Sequence, residues 1–108
     1  MYLEQGRQAQ ALAHLDRALE LAPNHQEALL NSAAIIQELG AARLRPTAQL
    51  RLRRLLRLQP AVVGADRVHF NLGMLAMDER DLLAAEAHFR KVGMTRIAVL
   101  SRIEPTQM

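Results

Sequence analysis

The chain has 108 residues, a formal charge of +3 and no cysteine, which allows at most one small domain and excludes a disulfide framework and thiolate chemistry. So mild a charge does not by itself imply a nucleic-acid partner, and no apolar run approaches the ~20 residues that span a bilayer. Leucine and alanine supply 37 residues, against three aromatics, Tyr2, Phe70 and Phe89. Residues that lose little on entering a helix dominate and β-branched ones are sparse, so the composition predicts an all-α chain.

In chain order, the opening "YLEQGRQAQALAHLDRALELAP" predicts a short helix over 1–5, a break near Gly6, and a second helix over 8–21 stopped by Pro23. A third helix is expected over 25–39, ended by Gly40. The connector "AARLRPTA" follows, with Pro46 suited to the start of a helix over 47–58 that Pro60 terminates. After "AVVGA" come helices over 66–77 and 81–91, and the tail "GMTRIAVLSRIEPTQM" offers a short helix near 95–101. No signal-peptide pattern opens the chain.

Aligning Gly6 with Gly40 and Pro23 with Pro60 exposes a period. Small residues recur on the first helix of each unit (Ala33, Gly73) and on the second (Ala11, Ala48, Ala85), where they let paired helices approach closely. Bulky Leu15, Leu52 and Phe89 fill the next layer. This order resembles the tetratricopeptide (TPR) repeat, a helix-pair unit of roughly 34 residues. The resemblance implies an antiparallel helix-pair solenoid of about two and a half repeats, truncated at both ends. Its divisions are a partial unit over 1–24, a unit with an inter-helix insertion over 25–60, a unit over 61–92, and a non-repeat tail over 93–108. The tail reads as an alternative or read-through terminus. Solenoid units lean on neighbours, so Tyr2, Leu3, Phe89 and Val92 should be under-covered at the ends, favouring weak self-association.

Chemistry is sparse. His14, His25, His69 and His88 sit singly, without a His-x-x-x-His pair, and the large-residue position of His69 points to core packing. There is no phosphate-cradling glycine loop and no nucleophile elbow. The acids of "MDERD" suit a solvated helix-to-helix turn, with a divalent-ion site as the remote alternative. No cofactor is implied. From Arg43 to Arg57 the chain carries six arginines and no acid. Arg51, Arg53, Arg54 and Arg57 spread around the helix side away from Ala48, Leu52, Leu55, Leu56 and Gln59. They form either a solvated outer face or a basic patch for an acidic protein, lipid headgroups or nucleic acid. No aromatic is interleaved to stack on bases.

TPR resemblance places the peptide groove on the first helices of the units. That face would carry Glu27, Leu30, Asn31, Ala34, Gln37 and Glu38, then Arg67, Phe70, Asn71, Met74, Met77 and Asp78. Asn31 and Asn71 fall at the same repeat position. In the similar array of the O-linked N-acetylglucosamine transferases, an Asn there holds a peptide's main chain. An amide offers both donor and acceptor, so it pairs with a backbone amide whatever side chain follows; a structural role for either Asn stays open. The carboxylate-clamp type of TPR fits less well, because Asn71 stands where the second clamp cation belongs.

"ALLNSAAIIQELG", the arginine-rich connector and "HFNLGMLAMDERDLLAAEAHFRK" together resemble consecutive repeats of the transmembrane and TPR-containing O-mannosyltransferases that act on cadherins. The stretch from Phe70 to Glu79, "FNLGMLAMDE", is more idiosyncratic than the generic repeat demands, and the resemblance covers about residues 1–91. It implies a luminal, endoplasmic-reticulum array that engages a cadherin-type acceptor protein or extended peptide. The dolichol-phosphate-mannose chemistry would reside in a membrane domain whose residues are absent here, so no catalytic residue transfers to this chain. A stand-alone cytosolic TPR adaptor is the alternative.

Overall fold

The computed structural model describes residues 2–61 and 64–93. They form five α-helices: α1 (Tyr2–Leu21), α2 (Gln26–Leu39), α3 (Arg45–Arg57), α4 (Ala65–Asp78) and α5 (Leu82–Lys91), with one 3-10 turn (Ala42–Leu44) leading into α3. Among the described residues there is no strand. The helix expected near 95–101 lies outside them.

Each helix packs on its neighbour in sequence, and α2 also lies against α4. Short connections force successive helices antiparallel. The result is a slab of 45 × 38 × 18 Å, about two helix diameters thick.

Local chemistry sets the helix ends. His25 is the N-cap of α2, its Nδ1 accepting from the Ala28 amide at 3.1 Å. Gly40 ends α2 in the left-handed conformation at φ 66°, where a Cβ would be strained. Pro46 lies in the first turn of α3, where its missing N–H costs nothing. Asp81 caps α5 by accepting from the Ala84 amide at 3.1 Å. Arg80 makes the preceding turn at φ 60°, an uncommon conformation for a side-chain-bearing residue.

The expected break at Gly6 does not occur: α1 runs unbroken from Tyr2 to Leu21. A glycine inside a helix costs only about 1 kcal/mol relative to alanine, and the stretch supplies no proline or capping side chain to enforce a turn. The first unit therefore contributes one long helix, not the end of one and the whole of another.

Leu30, Ile36, Leu52, Val68 and Leu75 are fully buried in the main core. A second cluster centres on Ala76, Ala85 and Phe89, with Phe70, Met74 and Met77 against it. Phe89 has no exposure at all, which corrects the expectation that it would be under-covered. Its ring lies over Gly73, where a built Cβ would come within 2.8 Å of Cε1, and it meets Phe70 edge-on with ring centroids 5.7 Å apart. Of the other three residues expected to be under-covered, Val92 is half-buried; the side chains of Tyr2 and Leu3 lie outside the described set. Exposed leucines on α5 are Leu82 and Leu83.

Gly73→Ala should destabilise the protein by about 1–2 kcal/mol in urea unfolding, because overpacking outweighs the better helix propensity of alanine. Combined with Phe89→Leu, it should cost less than the sum of the two single changes. Simple additivity would show that Gly73 and Phe89 are not coupled.

Candidate peptide-binding face

The groove candidates divide by the face of the helix they occupy. On α2, Glu27, Asn31 and Glu38 are exposed and Ala34 and Gln37 half-buried. Leu30 is 1% exposed and belongs to the core, so it lines no groove. The reason is the neighbouring helix: Gln37, two turns farther along the same side of α2, donates from Nε2 to Asp78 Oδ2 on α4 at 3.4 Å. That side of α2 faces α4. Glu38 accepts from Gln8 Nε2 on α1 at 2.9 Å, tying the outer edge of α2 the other way.

On α4, Arg67 and Asp78 are exposed and Phe70, Asn71, Met74 and Met77 half-buried. Phe70, Met74 and Met77 lean on the Phe89 cluster, so only part of each is available to a partner. The available surface is thus a polar strip, Glu27, Asn31 and Glu38 on α2 with Arg67, Asn71 and Asp78 on α4. Nothing in this strip forms a nucleophile–base arrangement.

The acids at the end of α4 and in the turn after it have structural work. Asp78 bonds Gln37, Glu79 Oε1 accepts from Gln49 Nε2 at 2.7 Å, and Asp81 caps α5. They point to three different elements and do not converge.

The arginines of α3 are not one free face. Arg51 is half-buried, and its Nη2 meets Asp16 Oδ1 on α1 at 2.8 Å. Arg54 donates from Nε to Asn24 Oδ1 in the α1–α2 turn at 2.8 Å. Arg53 and Arg57 are exposed. Ala48, Leu52 and Leu55 are buried as their spacing implies, whereas Leu56 is 37% exposed and Gln59 lies beyond the helix end and is exposed.

One pair escaped sequence reasoning. His69 on α4 and His88 on α5 stand Nδ1 to Nδ1 at 3.1 Å, rings stacked with centroids 5.3 Å apart. His69 is half-buried at the helix interface, not sealed in the core. Only the antiparallel docking of α5 on α4 brings the two histidines together. Burial lowers the pKa of His69, and Lys91 adds to this while Asp66 opposes it. Burial also lowers that of His88, reinforced by His69, Lys91 and Arg53.

The Tetratricopeptide repeat family model matches residues 1–25. The chain is a tetratricopeptide-repeat solenoid. Human protein O-mannosyl-transferase TMTC3 is 44% identical over 78 residues, 72% of this chain, and its mouse counterpart is 42% identical over 69 residues, 64% of it. The chain spans only 8% and 7% of those relatives' lengths. No solved structure matches it. Among the described residues, no helix of the solenoid is long and apolar enough to cross a membrane.

The histidine pair makes stability depend on pH. Both folded-state pKa values lie below the ordinary 6.5, so below that pH the unfolded chain binds more protons. The stabilisation is complete above it and is lost as pH falls. The urea midpoint should therefore drop between about pH 7.5 and about pH 5, and His88→Gln should shrink that drop. An equal drop in the variant would show that the pair is not responsible.

Proposed function

We propose that this chain is a protein-recognition scaffold: the luminal, acceptor-binding part of a dolichol-phosphate-mannose-dependent protein O-mannosyltransferase of the endoplasmic reticulum, with the chemistry carried elsewhere. The observation that carries the reading is the recurrence of Asn31 and Asn71 on the first helices α2 and α4 of a chain similar to a protein O-mannosyl-transferase. Helix-pair repeats present their first helices to extended partners. The units involved are 25–60 and 61–92, flanked by the partial unit 1–24 and the tail 93–108.

The mechanism is main-chain recognition. Asn31 is exposed and Asn71 half-buried, and each amide can donate to a peptide carbonyl and accept from a peptide N–H. Because the backbone is read, side-chain identity matters little, which suits an enzyme that must accept many local sequences around a serine or threonine. Glu27, Glu38 and Asp78 against Arg67 add a charge pattern that orients the strand. The partially available Phe70, Met74 and Met77 give apolar contact on α4, thioethers adapting to irregular shapes.

The test is the affinity of the full chain for an unmodified cadherin-type extracellular domain, measured by biolayer interferometry. Asn31→Ala with Asn71→Ala should weaken binding about thirtyfold, from roughly 1 kcal/mol lost at each of the two amides, with the melting temperature unchanged. Undiminished binding by the double variant would refute the main-chain ladder. Failure of the parent chain to bind any such domain would refute acceptor recognition.

A further inference from the structure

A second surface lies between α1 and α3, away from the strip just described. It is a cleft of about 530 Å³, within the size range of ligand sites, roughly 300–1,000 Å³. Leu29, fully buried, and half-buried Leu19 and Leu58 form its floor, and Leu50, 66% exposed, stands at its rim. Arg51, Arg54 and Arg57 line it as well, and no carboxylate does.

The three arginines stand in different states. Arg51 is neutralised by Asp16 through one nitrogen, while its Nη1 is buried with no hydrogen-bond partner among the described residues. Arg54 donates from Nε to Asn24 and lines the cleft beside it. Arg57 is exposed at the last turn of α3 and has no carboxylate ion pair among the described residues. An apolar floor beside guanidinium forks suits a ligand that is itself both apolar and anionic.

We propose that the α1–α3 cleft binds an acidic protein segment that presents a leucine-sized side chain flanked by carboxylates. The side chain covers the Leu19–Leu29–Leu58 floor against the rim of Leu50. The carboxylates take Arg57 and the terminal nitrogens of Arg54, the pairing for which guanidinium geometry is suited. A single strand fits a cleft of this size. Nucleic acid is disfavoured because no aromatic ring lines it to stack a base. This surface is independent of the strip on α2 and α4, and its test does not depend on acceptor recognition.

The test is fluorescence anisotropy of the full chain with a labelled peptide of two leucines flanked by glutamates. Two control peptides replace every glutamate by glutamine or every leucine by serine. The glutamate–leucine peptide should bind, and both controls should bind at least about tenfold more weakly. Arg57→Gln and Leu50→Lys, both at exposed positions, should each weaken binding by about the same factor, with melting curves confirming that the variants fold. Asn31→Ala with Asn71→Ala should leave this binding unchanged, which separates the cleft from the peptide strip. Equal binding of the glutamine control, insensitivity to Arg57→Gln, or binding of phosphatidylserine vesicles without binding of the peptide would each overturn the proposal.

Discussion

The close approach of α4 and α5 depends on what residue 73 lacks. With no side chain at Gly73, the ring of Phe89 lies directly on the α4 backbone, so close that a Cβ would stand 2.8 Å from it. Burying a phenylalanine side chain contributes roughly 1.5–3 kcal/mol, and the contact draws Phe70 edge-on and Met74 and Met77 around the ring. It also fixes the helix spacing at which His69 and His88 meet at 3.1 Å. The preceding pair follows the same logic with alanines: Ala33 of α2 and Ala48 of α3 have no exposed surface. Small residues at repeated positions set the thickness of the slab, and bulky ones then fill a layer of fixed height.

From that spacing follows the division of surfaces. Packing consumes one side of every helix, and α4 covers a second side of α2, which is why Leu30 is sealed while Glu27, Asn31 and Glu38 stay outside. Polar cross-links hold the units in register. Gln37 reaches Asp78, Gln8 reaches Glu38, Gln49 reaches Glu79, and the Gln26 amide donates to the Pro60 carbonyl at 2.9 Å. Being exposed, each contributes little energy, but together they favour one stacking over its neighbours.

Much of this was legible because the relevant signals are local. Proline at 23, 46 and 60 and glycine at 40 bracketed α1, α2 and α3, and the small–bulky alternation identified the pairs. The idiosyncratic stretch from Phe70 to Glu79 pointed to the O-mannosyltransferases, to which the chain proved similar. What escaped was decided by tertiary contact. Gly6 looks like a breaker in sequence, yet α1 runs through it, because a glycine inside a helix costs only about 1 kcal/mol relative to alanine. Phe89 looks terminal in the repeat but lies over Gly73 and against Phe70 on α4. Leu30 shares a helical stripe with polar residues, and only the position of α4 shows that it lies inside. The arginines of α3 read as one charge run, whereas the structure commits Arg51 and Arg54 to α1 and the turn after it and leaves Arg53 and Arg57 exposed.

The spacing of the helix pairs is the premise on which the proposed recognition strip, the histidine pair and the cleft all stand. A NOESY spectrum of the full chain measures it most directly. The account predicts cross-peaks between the Phe89 ring protons and the Gly73 α-protons, the latter shifted upfield by the ring above them. Gly73 α-protons at ordinary shifts, with no contact to Phe89, would contradict it.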